Sequence, residues 1–270
     1  KNAIRAIAFN AGNSMQSTDA THDIETKIAA KQPSLHALVI GIQDYENPKL
    51  ALKYPVADAK LMAATLRERA VGLFEGVNVV ELTTKAQTTK EAIIKTLKEI
   101  SWKVRPDDLF VFFVTSRGIA DEDEYFLVTS NVGATFTHLL KQTALSQDDL
   151  KALIANVPAT KKLVLTDISS TGKLGEATQV AMFTRGMNED TALNILARAV
   201  GSTILSASTS LQEAVEGYQG HGFFTWVLAE GLKGAADVDN DGYVKTHELA
   251  WYVRDRVPRL SGQVFRHKRY

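Results

Sequence analysis

Apolar and polar positions fall into two kinds of block along most of this chain. HALVIGI (36–42), VNVVEL (77–82), LFVFFVT (109–115), KKLVLTD (161–167) and STILSAS (202–208) are short runs rich in Val, Ile, Leu and Phe, each bounded by polar or turn residues. Such runs suit strands buried on both faces. Helical patterns lie between them. PVADAKLMAATLRER (55–69) opens with a proline and sets Ala57, Leu61, Ala64 and Leu66 near one face. Residues 88–102 begin at Thr88 or Thr89, a capping residue, with Ile93, Ile94, Leu97 and Ile100 on the apolar side. Further helices are expected at 147–156, 187–199, 221–233 and 246–257, with a short strand at 124–129. This alternation predicts an α/β fold, a three-layer αβα sandwich around a mostly parallel sheet. Ligands of such sheets meet the loops beyond the strand carboxyl ends, here after Ile42, Thr115, Asp167 and Ser208. Residues 1–34 are polar and poorly periodic and read as a linker or N-terminal arm; 35–257 form the domain and 258–270 a C-terminal tail.

With 270 residues, 45% of them hydrophobic, the chain can bury one large core. Lys plus Arg equals Asp plus Glu at 31 each, so charge gives no case for nucleic acid or an anionic membrane as partner. No apolar run approaches the roughly 18 residues that span a bilayer. Lys1 stands first rather than Met, from which part of a longer multidomain chain is expected. There is no cysteine, which excludes disulfides, thiolate metal sites and thiol catalysis.

VIGIQDY (39–45), LFVFFVTSRG (109–118), KLVLTDISSTG (162–172) and GHGFFTWVLAEGL (220–232) share the order and spacing of the caspase-like peptidases. Over about residues 36 to 257 the chain resembles bacterial metacaspase-like members of that family. The resemblance implies a caspase-like fold, a catalytic histidine in a Ser-Gly-His-Gly loop after the third main strand, and a nucleophile in an Asp-x-Cys-His-Ser-Gly loop after the fourth. Here the first loop reads Thr115, Ser116, Arg117, Gly118, with Arg117 at the histidine position. The second runs from Asp167 to Gly172, with Ser169 at the cysteine position. A serine hydroxyl must lose its proton to a base during attack, and a guanidinium has no lone pair to accept it. Knockouts of nucleophile or base in serine proteases lower turnover about 10⁶-fold, roughly 8 kcal/mol of barrier. A catalytically inactive domain with a binding, regulatory or scaffold role is therefore expected, with the segment Lys173–Asn188 left uncut. The alternative is a serine hydrolase using Ser169 with an unusual base, His221, His247 or a lysine; a third is a structural domain whose cleft is filled.

Arg117 reads equally as the partner of Asp167 or another carboxylate, and as an exposed loop residue. In metacaspases the aspartate matching Asp167 helps bind the basic side chain before the cut, so the resemblance implies a protein or peptide partner with a basic residue. The bland reading of Asp167, a cap on local backbone N–H groups, is the more economical. His221 in Gly220-His221-Gly222 reads as structural, and Ser170-Thr171-Gly172-Lys173 lacks the first glycine of a phosphate-binding loop.

DVDNDGYVKTHE (237–248) matches the EF-hand loop pattern and points to calcium as a cofactor. Asp237, Asp239 and Asp241 would supply side-chain oxygens, Gly242 the sharp turn, Tyr243 a carbonyl and Glu248 both carboxylate oxygens. Lys245 stands at the ninth position, where its charge opposes a cation; the rival reading is a solvated acidic turn that caps the following helix.

Overall fold

The computed structural model describes residues 2–12, 14–24, 31–121, 124–170, 203–207 and 217–267. The helix expected at 187–199 and the segment 173–188 lie outside them. The chain divides into two units, 1–32 and 33–270. The first holds an antiparallel hairpin of β1 (Asn2–Ala6) and β2 (Ala20–Ile24), with Ala6 opposite Ala20. Its residues 5–12 and 14–22 are exposed, so among the residues whose burial is described no buried face imposed an alternation on the sequence.

In the second unit the elements run β3 (Leu35–Gly41), α1 (Pro55–Arg69), β4 (Val77–Leu82), α2 (Lys90–Ser101), β5 (Leu109–Asp121) and β6 (Glu124–Leu127). They continue through α3 (Thr137–Thr143), β7 (Leu145–Ser146), α4 (Gln147–Ala155), β8 (Lys161–Ser170), β9 (Thr203–Ala207), α5 (Phe223–Glu230) and α6 (Thr246–His267). Strands β4-β3-β5-β8-β9 pair in parallel; β6 and β7 add an antiparallel wing to the far end of β5. The pleat splits the core. Leu38, Ile40, Phe110, Phe112, Val114 and Val164 pack with Ile93 and Leu97 of α2 and Leu150 and Ile154 of α4. Their neighbours Ala37, Val39, Val111, Phe113 and Leu165 pack with α1, α5 and α6. This is the expected three-layer sandwich.

Four details depart from the sequence reading. The buried face of α1 carries Asp58, Ala59, Met62, Ala63 and Leu66, whereas Ala64 is exposed. Strands β5 and β8 run on past Thr115 and Asp167, because both stay paired with each other and β5 also pairs with β6. Helix α5 closes at Glu230 in a π-type turn over Gly231–Ala235, where Gly234 takes φ 116°. Helix α6 continues through Pro258 to His267, so 258–267 is helix rather than tail. Pro258 forfeits one hydrogen bond, and Val253 and Leu260 on the buried face hold the helix on both sides of it.

Candidate functional site at the carboxyl end of the sheet

Asp167 lies one step along β8 from the buried Ile168 and two from Leu165, on the face shared with α1 and α5. Its side chain is buried, 8% exposed, where a carboxylate needs hydrogen bonds. Thr225, in the first turn of α5, supplies them: its hydroxyl donates to Oδ2 at 2.7 Å and its backbone N–H bonds the same carboxylate. Asp167 therefore caps the start of α5, far away in sequence, rather than its local backbone.

A second carboxylate shares the place. Asp58, from the first turn of α1, is 2% exposed; its Oδ1 accepts the Gly222 N–H at 3.0 Å and lies 3.2 Å from His221 Nδ1. Gly222 sits between the two acids. A Cβ there would meet Asp167 Oδ2 at 2.9 Å and Asp58 Oδ2 at 3.1 Å, so only glycine lets both approach the start of α5. Burial raises Asp58 to about 8, the charge of Asp167 adds to this, and the Gly222 N–H opposes it. Burial also raises Asp167, against the two bonds from Thr225. His221 is lowered, by burial first and then by Lys233, which favours its neutral ring.

Arg117 and Ser169 are cross-strand partners in the parallel β5–β8 ladder, whose register runs from Leu109 with Lys161 to Gly118 with Ser170. Arg117 is neither of the things expected of it. It is half-buried within β5, and its Nε donates to the Leu50 carbonyl at 2.9 Å, bracing the 43–52 loop. Its backbone N–H donates to the Tyr45 hydroxyl at 3.0 Å, which also reaches Ser116 Oγ and the Ile42 carbonyl. Burial pushes Tyr45 up to about 12, so it stays a neutral donor and acceptor. No carboxylate pairs with Arg117 among the described residues. Of the two histidines named as alternative bases, His221 faces Asp58 and His247 is exposed.

In the acidic loop, ligand oxygens of Asp237, Asp239 and Glu248 lie within 4.8 Å of one another, but Asp241 is not with them. Lys245 Nζ supplies positive charge to the loop, 2.6 Å from Asp239 Oδ2 and 2.5 Å from Asp241 Oδ2. These contacts raise Lys245 and lower Asp241. Asn240 (φ 57°) and Gly242 (φ 83°) make the turn. Glu248 accepts the Val238 and Lys245 N–H groups, and Tyr243 is exposed. The donor set fits a cation of modest affinity, with Lys245 as its internal competitor.

A parallel α/β sheet with an aspartate pair at its carboxyl end, reached in this chain order, narrows the relatives. Residues 34–268 match the family described as Caspase domain, Peptidase_C14. The chain belongs to the caspase-domain family. This caspase domain is also similar to the crystal structure of protein GSU0716 from Geobacter sulfurreducens, with 19% sequence identity and a TM-score of 0.53 over 82% of this chain and 88% of that one. At that identity the likeness concerns the fold. No curated protein matches it.

Sequence reasoning had singled out one acid of this caspase domain's pair, Asp167, and missed Asp58 and Thr225. A signal for Asp58 was present: at position 58 it shares the helical stripe with Met62 and Leu66, an acid where the apolar face should continue. For Thr225 there was none.

Proposed function

We propose that this caspase domain does not hydrolyse peptides and instead holds the Lys or Arg side chain of a protein or peptide segment at Asp58 and Asp167, as a binding, regulatory or scaffold domain. The observation that carries this reading is the pair of buried carboxylates at the start of α5, which have no Lys or Arg partner among the described residues. A guanidinium or ammonium group supplies the charge such a pair lacks. Two facts support the loss of hydrolysis. The chain has no thiol, and Arg117, opposite Ser169, cannot accept a proton.

The test compares two short blocked peptides, one with a single arginine and one with citrulline in its place. Calorimetry is expected to show the arginine peptide bound and left intact, the citrulline peptide bound at least about tenfold more weakly, and Asp167→Asn losing a similar factor. Equal binding of the two peptides would sink the reading.

For the acidic loop we propose weak calcium binding by Asp237, Asp239 and Glu248, with Asp241 and the Tyr243 carbonyl joining once Lys245 is displaced. Lys245→Ser is expected to tighten calcium about tenfold or more, seen as a larger rise of Tm with added calcium. If neither protein shifts at millimolar calcium, the loop is a helix connector held by its own lysine.

A further inference from the structure

Resting on the basic-side-chain reading, we infer that the guest enters the Asp58–Asp167 pair in exchange for a proton. Both acids are buried, both stand against the backbone of Gly222, and both face the amino end of the same helix, α5. That helix end and its donors, Gly222 N–H and Thr225, stabilise one negative charge well. A second charge across Gly222 from the first, out of water, meets it without a counter-cation, and two such carboxyls titrate as a coupled pair that keeps one proton.

The groups around the pair among the described residues do not supply the missing cation. Helix α1 and strand β8 contribute the two acids themselves, and α5 contributes Thr225. The turn before α5 contributes His221, whose ring is biased towards neutrality by burial and by Lys233. The empty pair therefore carries one proton and one negative charge near neutral pH, in line with the upward displacement of Asp58. An arriving guanidinium or ammonium brings a full positive charge. The pair then binds it with both carboxyls ionised, and the displaced proton passes to buffer. Atoms and charge balance: protonated pair plus cation gives ionised pair with cation, plus one proton.

The experiment is calorimetry of the single-arginine peptide in two buffers of different ionisation enthalpy, with carbon-13 NMR of the aspartate carboxyls in the unliganded protein. Binding near pH 7 is expected to release most of one proton, and affinity to rise by up to about tenfold per pH unit between about pH 6 and pH 8. One buried carboxyl should titrate near or above about pH 7. In Asp58→Asn, proton release should disappear while some binding by Asp167 persists. The same pair predicts a stability effect of definite sign. A folded acid raised above its unfolded value weakens the fold progressively as pH rises from about 4 to about 8, so Asp58→Asn should gain Tm relative to wild type at the upper end of that window and not at the lower. Binding without proton release, at a pH-independent affinity, overturns the exchange and leaves the basic-side-chain reading standing. Absence of binding at every pH overturns that reading and the exchange with it. Two carboxyls that both titrate below about pH 5 overturn the exchange whatever the peptide does.

Discussion

Arg117→His combined with Ser169→Cys is expected to give this caspase domain hydrolysis after arginine or lysine at about 10²-fold or more over the protein-free background. The two positions are in register on adjacent parallel strands, which lie about 4.8 Å apart, within reach of two short side chains. Cysteine carries a small thiolate fraction at neutral pH, and a neighbouring imidazole increases it. Each change alone should do far less, since a thiol without a base and a base without a thiol each lack half of the step; the pair should be strongly non-additive. Removing the guanidinium releases the Leu50 carbonyl, a loss of about 1 kcal/mol that the fold can absorb. Adding Asp167→Asn to the double variant should erase the preference for a basic residue, which ties the gained activity to this site. The wild-type protein should show no turnover and no labelling by a fluorophosphonate. Turnover by the wild type that vanishes in Ser169→Ala would instead make this chain a serine hydrolase.

The parallel strands were legible because a strand buried on both faces leaves an unbroken apolar run, as in LFVFFVT at 109–115. What the sequence withheld has a common cause: non-local partners. β5 and β8 extend past their apolar runs because each is the other's ladder and β6 returns alongside, and nothing local marks those last residues. Arg117 is fixed by a main-chain carbonyl, which leaves no trace at position 50 of the sequence. The face of α1 was displaced for a related reason. Counting apolar positions alone skips Asp58 and moves the stripe round to Ala64, when the acid belongs to the buried side. In the acidic loop the spacing was readable, and so was the conflict at Lys245; the ammonium lying on Asp239 and Asp241 is that conflict in atomic form.

Gly41→Ala is expected to lower stability by about 3 kcal/mol and to weaken binding of a basic peptide as well. Gly41 ends β3, where the first turn of α1 crosses it. A Cβ there would stand 2.2 Å from the Pro55 carbonyl oxygen, 2.8 Å from its carbon and 2.9 Å from Ala59 Cβ. These are mostly backbone atoms at the start of a helix, and no side-chain rotation relieves them. The helix must slide or tilt, against Met62 and Leu66 packed in the core behind it. Asp58 rides on the same turn, held by the Gly222 N–H at 3.0 Å, so the shift reaches the carboxylate pair directly. Gly72 supplies the control. It has φ 85° and open space around its Cβ position, so Gly72→Ala should lose only about 1 kcal/mol and leave peptide affinity alone. Chemical denaturation and calorimetry on the two variants separate the cases. Equal effects of the two substitutions on both readings would show that α1 does not depend on the bare backbone at the end of β3.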